Sequence, residues 1–404
     1  MLSEQSTPVV RATLPAVGAA IGEITPLFYR KLFGAHPELR RDLFNRGNQA
    51  NGEQQKALAG SIAAFASMLL ERPDERPDAL LGRIAHKHAS LGVTSDQYKI
   101  VHRYLFEAIA EVLGGAVTPE VAAAWDEVYW LMANALITVE ARLYQEADVP
   151  EGEIWRQMVV TGRHEETPDA VSFLLRPADG SPSGAFRPGQ YVSVQAELPD
   201  GARQIRQYSL SVAPGRPDWR ITVKRAGGGA RPEGEVSAWL HAHTRPGDLL
   251  TVSAPFGDLV LPDGAGPLLL ASAGIGSTPM LAMLDHLAAA GAPRSSRPTT
   301  VLHADRSPAD HAHREEQRRL VRALPDAALH LWYEAADPAG DGLPDGARLG
   351  QADLDAVPLP EGVTAYLCGP LPFMRALRGD LLRRGVPASA IHYEVFGPDL
   401  WLGE

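Results

Sequence analysis

The sequence reads as a multidomain chain: an all-α segment, then an antiparallel β-barrel, then an α/β unit built on an open parallel sheet. Three observations predict this. From residue 1 to about 148, apolar residues recur at three- and four-residue spacing with almost no alternation. From residue 154 to about 262 the texture changes to short β-rich runs separated by turn dipeptides. From residue 267 onward, apolar strand-like runs alternate with helical patterns, as a parallel sheet covered on both faces requires. The expected domain boundaries are 1–148, 152–262 and 263–404.

The totals agree and exclude several function classes. A chain of 404 residues is too long for a single core. The formal net charge is -11, which argues against nucleic acid as a partner, because phosphate binding needs a basic surface. Cys368 is the one cysteine, so an internal disulfide is impossible and a reducing compartment fits. The N-terminus lacks a basic stretch followed by an apolar run, and no apolar segment approaches spanning length. A cytoplasmic protein without membrane insertion is expected.

In the first segment, Leu27, Phe28 and Tyr29 lie in an apolar helix that Thr25-Pro26 either starts or kinks. Between Glu53 and Arg72, Leu58, Ile62, Phe65 and Leu69 mark one buried face. Gln54 stands on that face one turn earlier, and a buried amide must find a partner. A short helix follows: Pro77 suits its first turn, and Gly92 suits the left-handed residue past its end. Leu81, Ile84 and His88 share one face of it, with Lys87 pointing another way. Such a histidine is either a core residue with both nitrogens satisfied or an axial ligand to haem iron. Thr94-Ser95-Asp96-Gln97 resembles a capping box, opening a helix that carries Tyr98, Val101, Leu105 and Ile109 inward. Thr118-Pro119 opens the last and longest helix, lined by Trp125, Met132, Leu136 and Val139. Glu140 lies beside that buried face, and a carboxylate there needs a reason.

The second segment offers six strands: WRQMVV, AVSFLL, QYVSVQAEL, RQYSLSV, WRITVKR and LLTVSAP. Asp179-Gly180, Pro188-Gly189, Asp200-Gly201 and Pro246-Gly247 supply turns between them. Two motifs stand out, RPGQY at 187–191 and RQYS at 206–209. A flavin needs an aromatic ring to stack on, a cation for its pyrophosphate and a hydrogen-bond partner near its reactive nitrogen. Tyr208, Arg206 and Ser209 supply these in turn, and strand alternation puts Arg206 and Tyr208 on one face. The plainer reading of RQYS is a half-exposed edge strand. Gly227 to Gly229 mark a flexible loop. After it, Gly234-Glu235-Val236-Ser237 precedes a helix whose first N–H groups suit a pyrophosphate.

In the third segment PLLLASAG, TTVLHAD, ALHLWYE, TAYLCGP and AIHYEVF read as buried strands, and PMLAMLDHLAAAG and FMRALRGDLLRRG as helices. The turn AGIGSTPM at 273–280 directly follows the first of these strands. Thr278 as N-cap and Pro279 as first helical residue would aim a helix N-terminus at a phosphate. The pattern is GxGxxP rather than the GxGxxG fingerprint. YLCGP at 366–370 ends a strand at the carboxyl edge of the sheet, where ligands of open sheets bind. Cys368 reads equally well as a small core residue.

In this order RPGQY, RQYS, AGIGSTPM and YLCGP resemble the ferredoxin–NADP reductase superfamily. With FYRKLF, HPELR, LFNRGNQANGEQQKAL, IAHKHASL and IHYEVFGP, nearly the whole chain resembles the flavohaemoglobins, the nitric oxide dioxygenases of bacteria and fungi. The resemblance implies a globin domain, an FAD-binding barrel and an NAD(P)-binding α/β domain, with haem b, FAD and NADH or NADPH as cofactors. It implies that NAD(P)H reduces FAD, that FAD reduces haem iron, and that nitric oxide reacts with dioxygen at the ferrous haem to give nitrate. It makes His88 the proximal iron ligand, with Tyr98 and Glu140 behind it, and Tyr29 and Gln54 the distal pair. Phe44 and Leu58 belong to the haem pocket, and Lys87 and Glu394 become charged groups between haem and flavin. FAD is assigned Tyr191, Arg206, Gln207, Tyr208, Ser209, Val236, Ser237, Val395, Phe396, Gly397 and Pro398, with Phe396 covering the flavin ring. The nicotinamide nucleotide is assigned Gly274, Ile275, Gly276, Ser277, Thr278, Pro279, Cys368, Gly369 and Pro370. The implied partners are dioxygen, nitric oxide and NAD(P)H, with the chain a monomer. The alternative is an oxygen-binding or oxygen-sensing haemoglobin whose attached reductase only reverses oxidation; a plain flavin reductase is a third.

The chain departs from the family pattern in places. His86 stands where a neutral polar residue is expected, and its spacing from His88 makes it a surface residue. The loop GGGARPEGE is longer than usual, and Val395 follows Glu394 where a smaller residue is common. Asp305 and Arg306 stand where the ribose 2′ position is read, an acid favouring NADH and an arginine favouring NADPH, so the nucleotide stays open.

Overall fold

A computed structural model describes residues 1–74, 77–227, 233–289, 297–337 and 342–397. They form two compact units: Met1–Trp155 with Gln195–Arg206, and Arg156–Val194 with Gln207–Phe396. Among the described residues, no helix is long and apolar enough to cross a membrane.

Seven helices build most of the first unit: α1 (Ser6–Ala35), α2 (Pro37–Asp42), α3 (Arg46–Ala50), α4 (Glu53–Glu71), α5 (Asp78–Ala89), α6 (Ser95–Leu113) and α7 (Pro119–Glu146). The longest is α1 with 30 residues, not α7 with 28, because α1 runs straight through Pro15 and Pro26. Pro26 has no N–H to donate, and next to it the Thr25 hydroxyl donates to the Ile21 carbonyl at 3.0 Å. Packing decides the outcome. Ile24, Leu27, Phe28 and Leu32 are buried against Leu105 and Ala108 of α6. Each large side chain contributes about 1.5–3 kcal/mol, and four outweigh the roughly 3 kcal/mol cost of an interior proline. Leu58 and Ile62 of α4 pack partly buried against this cluster, and Phe65 and Leu69 are buried.

Helix α5 starts one residue past Pro77 and ends before Gly92, whose φ of +74° is the left-handed conformation expected of it. Its deepest stripe is Leu81, Ala85 and Ala89 rather than Leu81, Ile84 and His88, the last two being half-buried. His86 is not a surface residue: it is 8% exposed, on the stripe it shares with the fully buried Ser90. The helix is covered over a wider arc than a single apolar stripe suggests. Helix α6 opens on the full capping box, with the Thr94 N–H donating to Gln97 Oε1 at 3.1 Å. At the start of α7, Thr118 Oγ1 accepts from the Val121 N–H at 3.3 Å and Pro119 is the first residue.

The six expected strands form one sheet: β1 (Trp155–Thr167), β2 (Ala170–Pro177), β3 (Tyr191–Glu197), β4 (Arg203–Ser209), β5 (Trp219–Lys224) and β6 (Leu249–Ser253). Its order is β4-β3-β6-β1-β2-β5, with β1–β2 and β2–β5 antiparallel. A bridge between Leu210, just past β4, and Ile221 of β5 brings the two edges together, which gives a barrel. Helix α8 (Glu235–His243) follows β5. Gly228 and Gly229 of the expected flexible loop, with residues 230–232, lie outside the described residues.

The last sheet has order β10-β9-β8-β7-β11-β12 and is parallel throughout. Its strands are β7 (Leu268–Ala273), β8 (Thr299–Asp305), β9 (Ala327–Tyr333), β10 (Ala347–Leu349), β11 (Thr364–Cys368) and β12 (Ile391–Glu394). With it go α9 (Ser277–Ala289), α10 (Arg314–Arg322) and α11 (Leu371–Arg383). Five of these strands match the sequence reading; β10, three residues at an edge, is too short to show a pattern. The order turns back between β7 and β11, so the carboxyl ends of these two strands flank the switch point where open sheets bind ligands.

Candidate functional site

His88 is held by two other helices. Its Nδ1 lies 2.8 Å from Glu140 Oε1 on α7 and 2.9 Å from Tyr98 Oη on α6. The Tyr98 hydroxyl donates to the same Glu140 oxygen at 2.6 Å. That oxygen is therefore an acceptor, and the arrangement assigns the imidazole proton to Nδ1. Nε2 is left with the lone pair, and it makes no hydrogen bond among the described residues. A lone pair on Nε2 with Nδ1–H fixed by a carboxylate is the donor chemistry an iron ligand requires. Glu140 is 3% exposed, and its two donors account for a carboxylate on a buried face. Burial, and after it the Glu140 charge, raises the Tyr98 pKa, so the phenol remains a donor.

Local sequence explains the placement. The capping box fixes the first turn of α6, where Tyr98 sits, and the Tyr129 hydroxyl donates to the Tyr98 carbonyl at 2.6 Å. The turn between α5 and α6 is packed so closely that a Cβ on Gly152 would lie 2.9 Å from Thr94 Cγ2. Replacing Glu140 by Leu should leave the Tyr98 O–H unpaired and the His88 Nδ1–H with only the Tyr98 oxygen, and cost about 1–3 kcal/mol. Glu140→Gln, which keeps an acceptor, should cost less. Urea unfolding of the two variants checks this, and equal stability of Glu140→Leu and the parent chain would contradict it.

A second cluster surrounds Tyr29, which is 5% exposed on α1. Its ring centroid lies 4.7 Å from that of Phe28, 5.6 Å from Phe33 and 5.8 Å from Phe44. Burial raises the Tyr29 pKa, and the neighbouring amides of Gln54 and Gln49 oppose it. The structure thus joins Tyr29, Gln54 and Phe44, and Leu58 packs on the same core. It adds Gln49, to which sequence reasoning assigned nothing. Gln49 lies on the short helix α3, capped by Asn45, whose Oδ1 accepts from the Gly47 and Asn48 N–H groups. A buried Gln49 Nε2 has no hydrogen-bond partner among the described residues. The only signal for it in sequence was a second amide five residues before Gln54.

On β4, Arg206, Gln207 and Tyr208 are half-buried and Ser209 is buried. Gln207 Nε2 donates to Ser193 Oγ at 3.0 Å. Ser209 Oγ is buried with no hydrogen-bond partner among the described residues, which fits a polar atom of a bound group at this place. Tyr191 and Val236 are buried. Ser237 Oγ accepts from the Ala226 N–H at 3.0 Å and donates to the Gly234 carbonyl at 3.1 Å, tying the start of α8 to the end of β5. Lys87 is half-buried on α5 of the first unit, and Glu394 is buried at the end of β12 in the second. Val395 is half-buried, Phe396 is 49% exposed and Gly397 is exposed; Pro398 lies outside the described residues.

The turn after β7 departs from expectation. Gly274–Gly276 form a 3₁₀ turn and α9 starts at Ser277, so Thr278 is inside the helix and is not its N-cap. Its hydroxyl donates to the Ile275 carbonyl at 3.0 Å, where an N-cap would accept from an N–H. Pro279 therefore follows within the first turn. The N-terminus of α9 still stands at the switch point, and the buried Ser277 Oγ there has no hydrogen-bond partner among the described residues. A Cβ on Gly276 would lie 2.3 Å from the Cys368 carbonyl oxygen and 2.8 Å from the Gly369 nitrogen. The two loops, with Pro370 capping α11, thus meet across the switch point. Gly276→Ala should force them apart at a cost of about 1–3 kcal/mol, read as a lowered thermal midpoint; an unchanged midpoint would contradict the contact. Cys368 is fully buried in the core of this unit, and burial followed by the Glu394 charge raises its pKa, so its thiol is inert packing.

Comparison with known proteins agrees with this architecture. The globin family model matches residues 27–136, and the oxidoreductase NAD-binding domain model matches residues 270–379. A flavohemoprotein of Rhizobium meliloti strain 1021 is 40% identical over 99% of this chain and 100% of its own. The solved flavohemoglobin of Malassezia yamatoensis, with bound FAD and heme, superposes with a TM-score of 0.87 at 37% identity, covering 98% of this chain and 100% of that one. The FAD/NAD-binding domain of a nitric oxide dioxygenase from Vibrio cholerae O1 biovar El Tor is 36% identical with a TM-score of 0.55, covering 60% of this chain and 99% of that one.

Proposed function

The chain belongs to the flavohemoprotein family, and from that premise we propose that it is an NAD(P)H-dependent nitric oxide dioxygenase converting nitric oxide and dioxygen to nitrate. Its cofactors on this reading are haem b in a domain over 1–148, FAD in a barrel over 152–262 and NADH or NADPH in a domain over 263–404. The bound flavin and heme of the Malassezia protein, the NAD-binding match and the name of the Vibrio domain support it. The single cysteine, which permits no internal disulfide, supports a reducing, cytoplasmic setting.

Together these groups supply the redox chemistry: a hydride to the flavin, single electrons onward to the iron, and oxidation of nitric oxide there. The residues supply geometry and polarity. His88 offers Nε2 as iron ligand, and Glu140 and Tyr98 hold its Nδ1 proton, which fixes the ring and raises its electron donation. Tyr29 offers an O–H at the distal side, with Gln54 and Gln49 beside it and Phe44 and Leu58 excluding water. Ser209 offers its Oγ, and Arg206 and Tyr208 their charge and ring, to the flavin. Val236, Ser237, Val395, Phe396, Gly397 and Tyr191 complete that site in this reading, and Lys87 and Glu394 serve the passage of electrons. Ser277 and the turns at Gly274–Gly276 and Cys368–Pro370 receive the nucleotide.

The observation that carries the dioxygenase reading is the Tyr29 hydroxyl, a single O–H donor beside two amides inside an aromatic cluster. A domain that merely passed electrons has no use for it. The test is turnover under air with nitric oxide and NADH. Nitrate should accumulate, with one NADH oxidised for every two nitrates, since a hydride carries two electrons and each turn consumes one. Dioxygen binding without steady nitrate formation would favour the oxygen-carrier alternative.

A further inference from the structure

The two residues that read the ribose 2′ position are an acid and a base, and the structure separates their roles. Register pairs Ala273 with Ala304, so Asp305-Arg306 leave β8 directly beside the Gly274–Gly276 turn. This is where a doubly wound sheet meets the adenosine ribose of a dinucleotide. An arginine there takes a 2′-phosphate only if its guanidinium is available. Arg306 Nη2 is held by Asp169 Oδ2 at 3.2 Å, on the turn between β1 and β2, and by Asp310 Oδ1 four residues along. Both carboxylates are themselves fixed: Asp169 Oδ1 accepts from the Thr167 hydroxyl at 2.8 Å, and Asp310 Oδ2 from the Ser307 hydroxyl at 2.7 Å. Arg314, the next arginine along, donates to the Pro308 carbonyl and to Glu315.

Asp305 points the same way. Its Oδ1 accepts from the Arg306 N–H at 2.9 Å, while the buried Oδ2 has no hydrogen-bond partner among the described residues and lies 3.6 Å from His303 Nε2. Lys224 Nζ is 3.7 Å from Asp169. Two carboxylates, Asp169 and Asp310, thus converge on the Arg306 guanidinium, and Asp169 also lies near Lys224. A 2′-phosphate, carrying roughly −1.5 to −2 charge, must compete with Asp169 and Asp310 for an occupied guanidinium. A 2′-hydroxyl brings a donor to acceptors. Arg306 is 59% exposed, so each of its ion pairs is weak singly; the discrimination comes from two carboxylates acting on one guanidinium.

We propose that this chain selects NADH over NADPH, with Asp169 and Asp310 withholding Arg306 from the 2′ position. The proposal rests on the nucleotide site assigned under the proposed function, and it is tested on the holoenzyme by two readouts. In anaerobic stopped flow, flavin reduction should be at least about tenfold more efficient with NADH than with NADPH. In the Asp169→Asn/Asp310→Asn variant the NADPH-to-NADH ratio should rise about tenfold, through the apparent affinity for NADPH rather than the limiting rate, and adding Arg306→Ala should abolish that gain. Calorimetric binding of ADP-ribose and of its 2′-phosphate should show the same order without turnover. Equal or better use of NADPH by the parent chain, or a ratio unmoved in the double variant, would overturn the proposal. A preference for ADP-ribose in a chain whose flavin neither nucleotide reduces would uphold it and count against the proposed function instead.

Discussion

His88→Ala should purify with its flavin and without haem. Removing the imidazole takes away the only nitrogen lone pair in the triad, while Tyr98 and Glu140 remain hydrogen-bonded to each other at 2.6 Å. Loss of a hydrogen-bond partner behind a metal ligand costs about 10–100-fold in affinity, and loss of the ligand itself should exceed that. Half-buried His88 contributes less to packing than Leu81, Ala85 and Ala89, which form the deepest stripe of α5, so the helix should stay folded. Haem-to-protein ratio, flavin-to-protein ratio and helical circular dichroism are read together. Normal haem with normal flavin would mean that the wrong histidine is assigned, and His86, buried on the same helix, would be the next to replace.

Tyr29→Phe should release dioxygen faster and slow nitrate formation while leaving haem content unchanged. The substitution removes one hydroxyl and keeps the ring that packs against Phe28, Phe33 and Phe44. A buried hydrogen bond of this kind is worth roughly 1–3 kcal/mol, so the dissociation rate should rise about five- to 150-fold. Gln54 neighbours the phenol, and Gln54→Ala should show a smaller change in the same direction. Stopped-flow displacement of dioxygen measures both. An unchanged rate in Tyr29→Phe would remove Tyr29 from the distal assignment.

The sequence made some parts of this molecule easy to read for identifiable reasons. A helix start written in side chains, such as Thr94 to Gln97 or Thr118-Pro119, depends on neighbours a few residues away and appears where expected. The barrel strands were legible because each is bounded by turn chemistry. At Gly189 the constraint is also tertiary: φ is +103°, and a Cβ would lie 2.0 Å from the Leu259 carbonyl oxygen. Other features depend on what packs from a distance. Nothing near Pro15 and Pro26 says that α1 continues through both; the aromatic and aliphatic cluster it buries decides that. His86 is buried because α5 is covered over a wide arc, which the i, i+3, i+7 spacing around His88 does not report. The missed N-cap at Thr278 reflects a 3₁₀ turn inserted ahead of α9, and such a turn has no distinct periodicity. The role of Glu140 was readable only as an anomaly, a carboxylate on a buried face, until geometry supplied its two donors. Gln49 needed the folded α3 to bring it back to Tyr29.

The central claim is that one chain passes electrons from a nicotinamide nucleotide through a flavin to a haem iron held by His88. A single anaerobic absorption titration of the purified protein with NADH tests it most directly. A Soret band should be present from the outset, addition of NADH should bleach the flavin bands, and the haem spectrum should convert from the ferric to the ferrous form. A protein with no Soret band, or one whose flavin bleaches while its haem stays ferric, would contradict it.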